Sequence, residues 1–362
     1  MTLNDLMKYK AFELDYKVKE NVLGKIIHDL TIYHYENCEE YKRILDAYSF
    51  DPYRELIALE EFPMLPVRIF KELSLKSVSD SEMAKQMTSS GSSGQKVSRL
   101  YLDRQTAIAQ QNVGVKITSS FLGIKRMPFI IIDSPSVVKS RQTYSARGAA
   151  AMFFSLFGSD RIYALKEDMS LDLETIKKFL EKHQGKPILL FGFTFMVWQH
   201  LYLAVKKLNE KLDFNSAILI HSGGWKKMEK LKVSEDIFEK SLKEEFNIAR
   251  IYQEYGMAEQ SGTIYYQCEY GHYHTSIYSD VIARRSNDLS PCEIGETGIL
   301  ELISSLPHSY PGHVILSEDQ GVICGIDDCP CGRLGKYFKL KSRIKNAEIR
   351  GCSDTYGMTH SE

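Results

Sequence analysis

A chain of 362 residues with 43% hydrophobic and 26% charged side chains has the apolar material for a large core, built as one big domain or two smaller ones. Its 46 basic and 47 acidic residues nearly cancel, which excludes the surplus positive charge that nucleic-acid binding or adhesion to an anionic membrane demands. No apolar run reaches bilayer-spanning length, and the charged start MTLNDLMKYKAFELDYK lacks a secretory core and cleavage site, so a cytoplasmic protein without nucleic-acid or integral membrane partners is expected.

Residues 1–85 read as a helical lead-in. Val22, Leu23, Ile26, Ile27 and Leu30 recur at helical spacing, and the stretch Phe62-Pro-Met-Leu-Pro-Val67 breaks the pattern. Residues 86–262 alternate short β-type runs (Phe129 to Asp133, Ile188 to Gly192, Ala217 to Ile220) with helix-like stretches (Leu171 to His183, Glu235 to Glu245). That alternation predicts an α/β fold with a largely parallel sheet flanked by helices. Residues 263–341 change to short strands and turns, among them Gly295 to Ile303 and Gly312 to Asp319, and predict a β-rich subdomain. Residues 342–362 form a hinge and tail.

The strongest chemical signal is Met87-Thr-Ser-Ser-Gly-Ser-Ser-Gly-Gln-Lys96. Glycines let backbone N–H groups converge on an anion and hydroxyls add donors, which suits a polyphosphate. Walker spacing is absent, and composition alone fits a Gly/Ser linker equally well. The position before the expected strand Ser98 to Leu102 favours the phosphate cradle.

Two further segments follow expected strands. Tyr252-Gln-Glu-Tyr-Gly-Met-Ala-Glu259 delivers a carboxylate to a strand end, where ligands gather in α/β sheets and where it can hold the Mg²⁺ that accompanies ATP; taken alone, Glu259 also fits a solvated surface acid. Ile220-His-Ser-Gly-Gly224 offers paired glycines against which a flat purine can lie. His221 beside Ser222 is not a triad, since no third partner is indicated. The run Phe191 to Trp198 reads as core, with an acyl-pocket wall as a second use.

In this order, the segments Ser89 to Gly94, Ser222 to Gly224, Tyr255 to Glu259, and Asp319 resemble the adenylate-forming superfamily of acyl-CoA synthetases and luciferases. The stretches Ser304 to His313, Asp328 to Arg333 and Arg343 to Thr355 look like its acyl-protein synthetase (LuxE-type) branch, near the phenylacetate-CoA ligases. The resemblance implies the large-domain fold of that superfamily without most of the usual C-terminal domain, because the chain stops soon after Arg350-Gly351.

It also implies roles. Ser89, Ser90, Gly91, Ser92, Ser93 and Gly94 would hold the β- and γ-phosphates; Gly223 and Gly224 would border adenine; Tyr255, beside Gly256, would stack on it. Glu259 would bind Mg²⁺, Asp319 the ribose hydroxyls, and Arg343 the same end of the nucleotide. The implied activity is that of a ligase forming carbon–sulfur bonds: a carboxylic acid, by the resemblance fatty, becomes acyl-AMP with loss of pyrophosphate. Cys352 would take the acyl group as a thioester and a partner reductase would receive it. A CoA ligase and a non-catalytic nucleotide-binding subunit are the competing expectations. Ala258, replacing the usual Thr or Ser, and the absence of the lysine that the usual C-terminal domain contributes favour the non-catalytic reading; Lys96 also departs from the pattern, standing where Pro is common.

The cysteines, at 38, 268, 292, 324, 329, 331 and 352, do not make a disulfide framework. Cys329-Pro-Cys331 and Cys268-Glu-Tyr-Gly-His-Tyr-His274 instead predict a closed structural zinc site of Cys268, His274, Cys329 and Cys331, with Cys324 or His272 as substitutes and two free thiols as the alternative.

Overall fold

The computed structural model describes residues 2–55, 58–88, 97–138, 146–225 and 232–344. These fall into two compact units: one from 2–88, 97–121 and 256–344, the other from 122–255. Among the described residues, no helix is long and apolar enough to cross a membrane.

In the first unit, helix Tyr16–Asn37 starts where the Asp15 carboxylate accepts the Val18 N–H at 3.0 Å, which satisfies one of the donors a helix start leaves open. The expected stripe is buried at Leu23, Ile26, Ile27 and Leu30, and Lys19 and His34 lie on the same buried face. The main sheet runs in the order Tyr273–His274, Lys336–Arg343, Val314–Ile326, Thr297–Ser304 and Ser279–Arg284, with antiparallel neighbours throughout. Lys19 Nζ donates to Thr275 Oγ1 at 2.7 Å and lies 3.4 Å from Asp280, which also takes Lys336 at 2.8 Å. Burial pulls the Lys19 ammonium down to about 8 despite the facing carboxylate.

The lead-in is not helical throughout. Leu65–Pro66 pairs in parallel with Ile315 and Leu316, and Met83–Thr88 is a strand antiparallel to Arg99–Asp103, with Thr88 opposite Arg99. The prolines break helical periodicity, but an edge pairing of two residues leaves no pattern to read.

The second unit holds five parallel strands in the order Gly158–Tyr163, Met127–Ile131, Leu189–Phe193, Ala217–Ser222 and Ile248–Tyr255. Met127–Ile131 and Leu189–Phe193 are buried at every position, as strands covered on both faces must be, so they appear in sequence as continuous apolar runs. The crossover helices include Leu173–Lys182 and Glu235–Phe246; the latter is capped by Ser234 and closed by Asn247 at φ 53°. The aromatic run Phe191 to Trp198 is buried throughout, as core.

Candidate active site

In the second unit, register aligns the carboxyl ends of three neighbouring strands, with Phe193 opposite Ser222 and Ser222 opposite Glu254. Carboxyl ends of parallel strands are where α/β sheets receive ligands. The turn beyond Ser222 is held by one hydroxyl: Thr194 Oγ1 donates to the Gly223 carbonyl at 2.7 Å and lies 2.9 Å from His221 Nδ1. Gly223 sits at φ +69°, a conformation that side chains resist, and a Cβ there would press on the Phe193 ring at 3.2 Å. Among the described residues other than its chain neighbours, none comes within 4 Å of where a Gly224 Cβ would be.

Glu254 follows in register. Part of its side chain faces solvent, yet desolvation raises its carboxyl to about 7, opposed by a hydrogen bond from Ser222. Burial likewise lowers His221 to about 3, so this imidazole is neutral and serves packing rather than proton transfer. Deeper in the unit, Arg147 grips Asp133 with Nε to Oδ2 at 2.9 Å and a second bond from Nη2 to Oδ1. Neither Glu254 nor this pair stands out in the sequence. Asp133 ending the run Phe129 to Asp133 was the available signal for the pair; for Glu254 it was its place in the Tyr252 to Glu259 segment.

In the first unit, Glu259 is 2% exposed and lies in the short turn Ala258–Gln260, so it is not a solvated surface acid. Ser98 Oγ donates to its Oε1 at 2.6 Å, and the Tyr310 hydroxyl donates to its backbone carbonyl at 3.0 Å. Gln260 Nε2 fastens the next residue to the carbonyls of Leu302 and Gly312, both at 2.9 Å. Gly262, at φ +85°, packs so tightly that a Cβ would sit 2.7 Å from Gln110 Cα. A carboxylate is a hard oxygen ligand, the kind a divalent cation takes, and Glu259 offers one here. The Ser261 hydroxyl is turned back to the Ala258 carbonyl at 2.9 Å.

Asp319 and Arg343 stand directly opposite each other on paired strands, with Arg343 Nε donating to Asp319 Oδ1 at 3.1 Å. The buried Glu318 beside them is bound by both Arg343, at 3.3 Å, and Arg68. Arg68 and Glu318 went unnoticed in sequence because an alternating strand hides which of its acids points inward.

The structure also gathers the four residues expected to bind zinc. Ligand atoms of Cys268, His274, Cys329 and Cys331 all lie within 4.8 Å of one another. Glu259, Asp319, Arg343, Gly256 and this cluster belong to the first unit, whereas Gly223, Gly224 and Tyr255 belong to the second. The expected phosphate loop, Ser89 to Gly94, and Cys352 lie outside the described residues.

Comparison with known proteins follows the same lines. The chain matches the family described as acyl-protein synthetase, LuxE, over residues 2–359. It is 22% identical over 355 residues to a long-chain-fatty-acid–luciferin-component ligase of Aliivibrio fischeri, covering 95% of this chain and 90% of the relative. The enzyme of the same name from Vibrio harveyi is 22% identical over 348 residues, covering 92% and 87%. Among solved structures, 2-hydroxyisobutyryl-CoA ligase in the postadenylation state with 2-HIB-AMP superposes with a TM-score of 0.72 at 16% identity, over 93% of this chain and 70% of that one. Its open conformation with 2-HIB-AMP and CoA gives 0.70 at 15%, over 90% and 70%. Identity this low speaks for the fold alone, which is the large-domain fold of adenylate-forming enzymes.

Proposed function

Because the chain belongs to the acyl-protein synthetase, LuxE family, and is a ligase, we propose that it activates a fatty acid as acyl-AMP and transfers the acyl group through Cys352 to a partner reductase. The observation that carries this reading is the family match over residues 2–359, a range that contains every segment of the candidate site. The names of the Aliivibrio and Vibrio relatives supply the substrate class.

In this reading Ser89 to Gly94 hold the β- and γ-phosphates, Gly223 and Gly224 border adenine, and Tyr255, next to Gly256, stacks on it. Asp319 accepts the ribose hydroxyls, braced by Arg343 at 3.1 Å. Glu259 holds Mg²⁺, whose charge balances the polyphosphate; its burial and the Ser98 hydrogen bond support that use. A substrate carboxylate oxygen attacks the α-phosphorus, the bond from that phosphorus to the bridging oxygen breaks, and pyrophosphate leaves. Positioning and charge neutralisation drive this half, with no protein nucleophile. The Cys352 thiolate then attacks the adenylate carbonyl; the acyl–phosphate C–O bond breaks, AMP leaves with the electron pair, and a thioester remains. The remaining cofactor of this reading is a structural Zn²⁺ that takes no part in these steps.

ATP–pyrophosphate exchange against a panel of fatty and aryl acids tests the first half. Acid-dependent exchange is expected, and its absence with every acid would leave a nucleotide-binding subunit. Mass spectrometry after incubation with ATP and labelled acid tests the second: wild type should gain a thioester-linked acyl group and Cys352→Ser should not. Equal labelling of both, or turnover only with CoA, would remove the role of Cys352.

A further inference from the structure

We infer that the zinc is held in a closed Cys₃His site by Cys268, Cys329, Cys331 and the imidazole of His274, and that it staples two turns of the β-rich region together. This deepens the cofactor part of the reading above but rests on none of its chemistry.

The two turns share one design. Cys268 and Cys329 each begin a turn closed by a glycine three residues on, with the Gly271 and Gly332 N–H groups donating to the cysteine carbonyls at 2.9 Å in both cases. Both glycines lie at positive φ, +71° and +77°.

The separations fit one small ion. Cys268 Sγ and Cys329 Sγ are 3.9 Å apart and Cys331 Sγ is 3.3 Å from His274 Nε2. A tetrahedron with zinc–sulfur bonds of about 2.3 Å has edges of about 3.8 Å. The same spacing is far beyond the roughly 2.05 Å of a disulfide. His274 supplies a second, independent sign: the residue is fully buried and its Nε2 is turned to the Cys331 sulfur.

The donor set names the metal. Three thiolates and one imidazole are a soft, four-coordinate set that suits Zn²⁺ and leaves no position for substrate. His272, whose Nδ1 is 3.5 Å from Cys329 Sγ, is an outer partner of a thiolate rather than a ligand. Cys324 turns its sulfur to the Val322 carbonyl at 3.5 Å and is excluded. The fold has use for the ion: Tyr273–His274 is joined to Lys336–Arg343 over two residues only, too short a ladder to anchor the segment.

The test uses the full untagged chain, reconstituted with ZnCl₂ and separately with CoCl₂ after chelation. Elemental analysis should find about one zinc per chain, and the cobalt form should show sulfur-to-cobalt charge transfer with the intense visible bands of a tetrahedral centre. Cys331→Ser and His274→Ala should lose at least tenfold in zinc affinity, whereas Cys324→Ser should keep it. Zinc far below one per chain after reconstitution, a cobalt spectrum without the thiolate band, or equal loss in Cys324→Ser would overturn the assignment. Should the ligand variants fail to fold, the wild-type cobalt spectrum decides. Pyrophosphate exchange on the same preparations reads the ligase reaction separately, so either result can fail without the other.

Discussion

Arg343 reaches two neighbouring acids at once, donating from Nε to Asp319 at 3.1 Å and from Nη2 to Glu318 at 3.3 Å. The arginine therefore sets the direction of the Asp319 carboxylate as well as its charge. Asp319→Ala is expected to lower kcat/KM for ATP by about 10- to 100-fold, the worth of a charged hydrogen bond. Arg343→Ala should fall in the same range, and the double variant should lose less than the product of the two. Steady-state exchange kinetics on all three decide it; strictly multiplicative losses would mean that the residues act independently.

Glu259→Gln keeps the shape and the Ser98 contact but removes the charge. Adenylation should drop by about 100-fold or more and the Mg²⁺ concentration for half-maximal exchange should rise. Ser98→Ala removes the 2.6 Å hydrogen bond and should cost about tenfold. A magnesium titration of exchange rate in each variant reads both effects, and an unchanged Glu259→Gln enzyme would end the Mg²⁺ assignment.

Glu254 carries a pH signature. Its folded value of about 7 lies above the ordinary 4.5, so between these values the folded protein holds a proton that the unfolded chain has released. Stability contributed at this site therefore falls as pH rises through that window, and the penalty is complete above about 7. Glu254→Gln removes the penalty. Its stability relative to wild type should climb between pH 4.5 and 7, by at most about 3 kcal/mol, less whatever the solvent-facing side screens. Urea unfolding of both proteins at pH 4.5 and pH 8 measures the difference; a gap that does not grow with pH would contradict it.

Gly262→Ala combines a positive φ with a Cβ placed 2.7 Å from Gln110 Cα. Backbone cannot yield as a side chain tip would, so a loss of about 2 kcal/mol or more is expected, together with lower exchange because Glu259 lies three residues away. Gly224→Ala meets nothing within 4 Å among the described residues beyond its chain neighbours and should leave stability within about 0.5 kcal/mol, making any loss of ATP affinity there a direct effect on the nucleotide. Thermal melts with and without ATP separate the two cases.

The three central strands of the second unit were legible because burial on both faces writes itself as apolar runs such as Phe129 to Ile132 and Leu189 to Phe191, whereas the outer strand Gly158–Tyr163, half exposed, leaves no such run. The grouping of Cys268, His274, Cys329 and Cys331 was legible because thiols and imidazoles recur there at short spacing. What stayed hidden depends on long-range partners. Ser98 is an ordinary serine until Glu259 arrives 161 positions later, and Glu318 beside Asp319 differs from it only in facing inward between two arginines. The short strand Leu65–Pro66 was hidden for the same reason, since its parallel partner begins at Val314.

The Lys19–Asp280–Lys336 cluster has a consequence for how the molecule is made. Its members come from opposite ends of the chain, Lys19 and Asp280 being 261 positions apart, and a buried ammonium is tolerable only once its carboxylate is present. The described residues of the second unit, 122–255, are all synthesised before Asp280 and Lys336, and can begin to pack while the chain is still emerging from the ribosome. The helix that carries Lys19 cannot complete this buried cluster until Lys336 has been synthesised, so a premature stop before that point leaves its ammonium without the carboxylate or the second lysine that the finished cluster holds.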